Sequence, residues 1–179
     1  MEEEIWKEIE GYDGMYEVSN MGRVRSWKKR IGFNKFTRSE NPTLRKLNIV
    51  LGYSQCHLSK NGKTTVYKVH RLVAIHFIHN PEDHQYVDHI DGNTQNNNVS
   101  NLRWVNKSQN EYNSKRGRNN TSGAKGVYYF VNGNNNWRAF WEENGKQKFK
   151  GFKTKEEAIE HRRKMVELHY SKEHYIEDR

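Results

Sequence analysis

Tyr86-Val87-Asp88-His89-Ile90-Asp91-Gly92-Asn93, followed by an Asn-rich stretch and by Asn101-Leu102-Arg103-Trp104-Val105, is the segment on which the reading of this chain turns. Two short apolar runs flanking a polar loop predict two strands. Asn106-Lys107-Ser108-Gln109-Asn110-Glu111-Tyr112-Asn113 then predicts a short helix, with Asn106 or Ser108 as its N-cap. Adjacent residues of a regular strand point to opposite faces, so Asp88 and His89 share a site only where the chain bends. Asp91-Gly92-Asn93 is a turn signal that permits the bend. The strand, loop, strand, helix unit would then bring Asn110 back over Asp88.

These residue types suit phosphodiester hydrolysis. The reaction needs a water deprotonated near neutral pH, and a histidine such as His89 is the side chain poised for that. The imidazole must be held in one tautomer, and the side-chain oxygen of Asn101 could accept from its other nitrogen. Charge on the phosphate calls for a cation, and Mg²⁺ prefers a carboxylate and neutral oxygens, with waters and phosphate completing its shell. Asp88 and Asn110 offer that pair. The plainer alternative is an Asn- and Gly-rich surface loop in which Asp88 and His89 form an ordinary ion pair.

Composition agrees without deciding. The 31 Lys and Arg against 22 Asp and Glu give a net charge of +9, so a polyanion is the first partner to consider, although a ribosomal or membrane-surface protein would fit too. With 33% hydrophobic residues in 179, two or three small modules are expected rather than one large core. The single cysteine, Cys56, excludes an internal disulfide framework and a Cys-pair zinc knuckle, and no long apolar run or signal-type start is seen. A cytoplasmic protein without membrane contact is expected.

Charge is segregated. Residues 1–20 carry six Glu and one Asp against Lys7, net −6, and residues 21–46 carry nine Lys or Arg against Glu40, net +8. Short alternating runs from Trp6 to Val24 predict a small sheet presenting Arg23, Arg25 and the Lys28-Lys29-Arg30 run for groove or phosphate contact, or else leaving that run as a solvated loop. Asn61-Gly62 predicts a hairpin turn between Val50 to Leu58 and Thr65 to Val69. Val69, Leu72, Val73, His76 and Phe77 then fall on one face of a helix, with His70 and Arg71 on the other, and Asn80-Pro81 ends it. His57, His76, His79 and His84 are read as structural.

Together, His70-Arg71-Leu72-Val73-Ala74, Val87 to Asn93, Asn96-Asn97 and Ser100 to Val105 resemble the HNH nucleases with a ββα-metal site, most closely the phage intron-encoded homing endonucleases. The resemblance implies His89 as general base, Asn101 as its orienting partner, and Asp88 with Asn110 as metal ligands. It implies Mg²⁺, with Mn²⁺ as a possible substitute and no zinc. It implies double-stranded DNA as partner, contacted by His70, Arg71 and Arg103 among others, and ends bearing 5′-phosphate and 3′-hydroxyl. One departure is Asn110, where many members have His.

The last third reads as a separate module. Residues 114–123 are polar and basic, with Lys115, Arg116 and Arg118 placed to lie along a phosphate backbone. Three strands follow, turning at Asn132-Gly133 and Asn144-Gly145, and Thr154-Lys155-Glu156-Glu157 is a capping box opening a helix. Alternation puts Trp137, Ala139 and Trp141 on the helix side and Arg138 and Phe140 on the other, while Lys146, Lys148 and Lys150 share a face. A basic outer face with interleaved aromatics would suit a DNA groove; a small α+β domain with a merely soluble face is the alternative. Lys125-Gly126-Val127, Trp137-Arg138-Ala139, Gly145-Lys146, Gly151-Phe152 and Thr154 to Ala158 resemble the Apetala-type domain of plant ethylene-response factors, which implies DNA contact by Arg138 and the basic strand residues. Its arginine-rich first strand is replaced here by Tyr128-Tyr129-Phe130.

The expected class is α+β: an N-terminal sheet module over 1–46, a ββα-metal nuclease over 47–113, a basic linker over 114–123, and a three-stranded antiparallel sheet with one packing helix over 124–179. A monomer with one active-site set is expected to nick one strand. A DNA-binding regulator with a dead nuclease remnant, and a weakly specific phage DNA-processing nuclease, are the alternatives.

Overall fold

A computed structural model describes residues 3–33, 35–113 (Tyr112 by its backbone only), 120, 122–131, 135–143 and 146–169, in two compact units, 1–110 and 111–179. In the first unit, β1 (Trp6–Glu8), β2 (Tyr16–Ser19), β3 (Val24–Gly32) and β4 (Lys35–Leu44) form one antiparallel sheet in chain order. The β2–β3 turn closes on Ser19, which accepts from Gly22 N–H at 3.0 Å and donates to Arg23 O at 2.8 Å. Gly22 sits there at φ +77°, a conformation that glycine alone adopts without strain.

A second sheet contains β5 (Asn48–Val50), β6 (Tyr53–Lys60) and β7 (Lys63–Lys68). Its tight turn is Asn61-Gly62, both at positive φ, which matches the right-handed twist of the strands it joins. The helix α1 (Val69–Phe77) follows at once and buries Val69, His70, Leu72, Val73 and Ala74. A ribbon of β8 (Tyr86–His89) and β9 (Leu102–Val105), a 3₁₀ turn over Val99–Asn101, and α2 (Lys107–Asn113) complete the strand, loop, strand, helix order read from the sequence.

One core runs through this unit. Ile9, Tyr12, Tyr16, Val18 and Val24 pack with Cys56, Leu58, Val69, Leu72, Val73 and Leu102. The expected modules 1–46 and 47–113 therefore share their interior, because neither sheet by itself has enough apolar side chains to cover one face. Cys56 is fully buried and burial pushes its thiol up to about 11, so it packs as a small apolar group.

In the second unit β10 (Val127–Tyr129), β11 (Trp137–Glu143) and β12 (Lys146–Phe152) form an antiparallel sheet covered by α3 (Lys155–His169). The capping box is formed: Glu157 N–H donates to Thr154 Oγ1 and Thr154 N–H to Glu157 carboxylate, both at 3.2 Å. Val127, Ala139 and Ala158 make the small core. The expected turns Asn132-Gly133 and Asn144-Gly145 lie outside the described residues.

Register corrects one expectation. Lys150 pairs with Ala139, Lys148 with Trp141 and Lys146 with Glu143, so the lysines leave the sheet on the α3 side. The outer face is aromatic, with Arg138 as its cation.

Truncation tests the two interiors separately. Leu58→Ala is expected to cost about 2–5 kcal/mol in urea unfolding, and Thr154→Ala about 1 kcal/mol in the second unit. A loss below about 1 kcal/mol for Leu58→Ala would contradict a shared core.

Candidate active site

Strand pairing carries through His89, opposite Leu102, and the chain turns immediately afterwards, where Gly92 N–H donates to His89 O at 2.9 Å. Asp88 and His89 are 7% and 4% exposed. Asp88 meets Arg103 directly across the ribbon, and the guanidinium donates to one carboxylate oxygen from Nη2 at 2.9 Å and from Nε at 3.2 Å. Arg103, expected to reach DNA, is thus turned onto Asp88.

The His89 imidazole sits in a different company. Its Nε2 lies 3.3 Å from Asn97 Oδ1, its ring stands edge-on to His70 with centroids 5.0 Å apart, and Tyr53 is 6.2 Å away. Asn97, rather than Asn101, supplies the amide oxygen at Nε2. Asn101 instead ties the loop: its Oδ1 accepts from Asp91 N–H at 2.9 Å, and its Nδ2 donates to Asp91 Oδ1 at 2.9 Å and Asn96 O at 2.8 Å. The Asn101 carbonyl accepts from Ile90 N–H at 2.8 Å, so the residue clamps the turn next to His89.

Nothing local to Asn97 in the sequence announces this role. Its place comes from the N-terminal sheet. Asn20 O accepts from Val99 N–H at 2.7 Å, and a Cβ on Gly22 would stand 2.5 Å from Asn97 Cβ. Thr94 donates to Gly52 O at 2.7 Å on the other side of the loop.

Burial overturns the placement of His70 on a DNA-facing side. It is 5% exposed and lies between the Tyr53 and His89 rings, and its Nδ1 has no hydrogen-bond partner among the described residues. Burial, then the nearby His89, Lys68 and Arg71, push its imidazole down to about 3, so it is neutral at pH 7. At Asp91 burial pushes upward, but hydrogen bonds from Asn96, Asn93 N–H and Asn101, with His89 nearby, hold the carboxyl below its ordinary value.

Several other cations expected at DNA are engaged within the chain. Arg23 pairs with Glu4 and Arg25 with Glu17; Lys28 donates to Ser59 O and Arg71 to Gln85 O at 2.8 Å. Lys29 and Arg30 stand exposed on β3. Lys115, Arg116 and Arg118 lie outside the described residues. Among the histidines read as structural, His76 donates from Nδ1 to Leu72 O at 2.7 Å within its own helix, and His57 and His79 are exposed.

As metal donors, Asp88 and Asn110 are one charged and one neutral oxygen, a hard set. Asn110 is half-buried in α2, its N–H bonded to Asn106 O at 3.0 Å. No group of three His, Cys, Asp or Glu side chains gathers for a metal among the described residues. The donor chemistry therefore fits an ion that keeps waters and substrate oxygens in its shell.

Two antiparallel strands and a helix, with His89 ending the first strand, form the strand, loop, strand, helix layout expected from the sequence. Residues 67–112, which contain β8, β9 and most of α2, match the HNH endonuclease family, and residues 4–59 match the NUMOD4 motif. The DNA endonuclease I-HmuI of Bacillus phage SP01 is 42% identical over 123 residues, 68% of this chain and 64% of that protein. An uncharacterized HNH endonuclease of Acanthamoeba polyphaga mimivirus, L245, is 38% identical over 135 residues, 72% of this chain and 36% of its own length. A solved chain described as DNA binding and cleavage by the HNH homing endonuclease I-HmuI is 42% identical, with a TM-score of 0.48, covering 57% of this chain and 53% of that one. The chain thus spans less than two thirds of the length of these relatives. No described helix is long and apolar enough to cross a membrane.

The buried neutral His70 has a signature in stability. Its folded value lies below the unfolded one, so the unfolded chain binds a proton that the folded chain refuses. The stability it confers is complete above pH ~6.5 and is lost toward pH 3, by up to about 1.4 kcal/mol per pH unit. Urea midpoints at pH 7 and 5 should differ less in His70→Phe than in wild type, in a window above the range where Asp91 titrates. Equal pH dependence in the two proteins would refute the assignment.

Proposed function

We propose that this protein is a site-specific homing DNA endonuclease of the HNH type that hydrolyses one phosphodiester bond of double-stranded DNA with one divalent cation, Mg²⁺ or in its place Mn²⁺. The observation that carries the reading is the buried imidazole of His89, set against Asn97 at the end of β8 and next in the chain to the Asp88 carboxylate. With the Asn97 oxygen accepting from Nε2–H, the lone pair falls to Nδ1, the form that takes a proton from water. Asn101 is a positioning residue, acting through the Asp91 turn.

Asp88 and Asn110 would hold the cation, with Arg103 orienting the carboxylate. When bound, the cation supplies charge stabilisation at the phosphate and the departing oxygen. Cleavage leaves 5′-phosphate and 3′-hydroxyl ends, and a monomer, having one such set, nicks one strand. Lys29, Arg30 and the basic stretch around Lys115, Arg116 and Arg118 would set affinity through phosphates. The Apetala-like second unit would add a DNA contact through Arg138. The setting would be the cytoplasm of a phage-infected bacterium.

Supercoiled phage and host DNA, incubated with wild type or His89→Ala in Mg²⁺ or EDTA, tests this directly. Discrete metal-dependent nicks are expected, slowed about 10²–10⁴-fold in the variant. Binding without cutting in any divalent metal would favour a DNA-binding regulator, and scattered cuts a weakly specific nuclease.

The N-terminal brace gives a second test. Gly22→Ala, strained at φ +77° and pressing on Asn97, is expected to lower the nicking rate at least about tenfold and to cost about 1–3 kcal/mol of stability. A variant that nicks at the wild-type rate would break the link between that turn and His89.

A further inference from the structure

The sheet of the second unit turns an aromatic surface away from α3. Alternation from the buried Val127 and Ala139 places Tyr128, Arg138 and Phe140 on that outer side, with Phe149 opposite Phe140 and Phe130 continuing the first strand by its N–H to Asn136 O at 2.7 Å. The rings touch one another: Tyr128 and Phe140 centroids are 5.6 Å apart, Phe140 and Phe149 5.5 Å, Phe130 and Phe140 6.1 Å. The Arg138 guanidinium lies 4.4 Å from the Phe130 ring and 5.2 Å from that of Phe149. Tyr128, Phe130 and Phe149 are 48%, 36% and 58% exposed, which a merely soluble face does not require.

The chemistry of the patch selects its occupant. Reading a duplex groove takes hydrogen-bonding side chains aimed at base edges; here Tyr128, Phe130, Phe140 and Phe149 surround one guanidinium, and the polar Glu142 and Gln147 of the same face lie at its end, beyond Phe140 and Phe149. An apolar protein partner would bury Arg138, which lies between the Phe130 and Phe149 rings, without supplying a counter-charge. Aromatic planes with an interleaved arginine match the π-faces of nucleobases. The exposed Lys146, Lys148 and Lys150 leave the other side of the edge strand β12 and border the patch with cations suited to phosphates.

We propose that the outer face of the β10–β11–β12 sheet is a stacking platform for unpaired bases of single-stranded DNA. The inference deepens the reading of the second unit as a DNA-contacting module and does not depend on the nuclease chemistry. Bases exposed where a strand is displaced or unstacked would be its substrate.

Fluorescence anisotropy of the full chain in EDTA, with a labelled oligothymidylate and with a blunt duplex, tests the platform. Phe149→Leu, which keeps an apolar side chain, should weaken single-strand binding at least about fivefold, and Phe149→Tyr should retain it. Tyr128→Leu, on another strand, should reproduce the loss, while duplex affinity changes little in each. Equal loss on both DNAs, or no loss on the single strand, would overturn the proposal. So would a loss accompanied by dissociation of a dimer in sedimentation, which would make the face an interface between copies. His89→Ala should bind the single strand as wild type does, so a chain that never cuts but stacks through Phe149 would sink the nuclease reading and leave the platform standing.

Discussion

The loop between β8 and β9 is the constraint on which the first unit depends. It has little regular structure, and its backbone groups must still be satisfied where it is buried. Asn101 does much of this, one amide serving Asp91 twice and Asn96 once, while the chain around it is held by Asn20 at Val99 and by Gly52 at Thr94. His89 and Asn97 stand at the two sides of the clamp.

That clamp also explains why the N-terminal sheet shares a core with β6, α1 and β9. The β2–β3 turn approaches Asn97 so closely that Gly22 has no room for a side chain, and Val18 and Val24 beside it pack with Leu58, Val69 and Leu72. The opposite charges of residues 1–20 and 21–46 meet across this sheet as Glu4 with Arg23 and Glu17 with Arg25. Both carboxylates are largely buried, Glu17 with Arg25 and Glu4 with the more exposed Arg23, so each is neutralised where it lies. Lys29 and Arg30 stand exposed farther along β3.

The second unit shows how one register decides a surface. Alternation along β11 correctly separates Ala139 and Trp141 from Arg138 and Phe140, because that pattern is local. Which side the lysines of β12 take depends on the pairing of Ala139 with Lys150, and a shift of one residue would have exchanged lysines for Gln147, Phe149 and Gly151. The same pairing brings Phe149 beside Phe140 and gives the outer face its aromatic character.

Local signals were legible in the sequence: the Asn61-Gly62 hairpin, the capping box at Thr154, the helix at Val69, and the Asp88-His89 pair at the end of a strand before a turn. Each rests on contacts within a few residues, so composition and spacing determine it. The tertiary structure alone decided the burial of His70, the turning of Arg103 onto Asp88, and the choice of Asn97 over Asn101 at the imidazole. Asn93, Asn96, Asn97, Asn98 and Asn101 carry the same donors and acceptors, so their chemistry cannot rank them. Only the fold around Gly22, Asn20 and Gly52 gives each amide its own neighbours and sets one of them against His89.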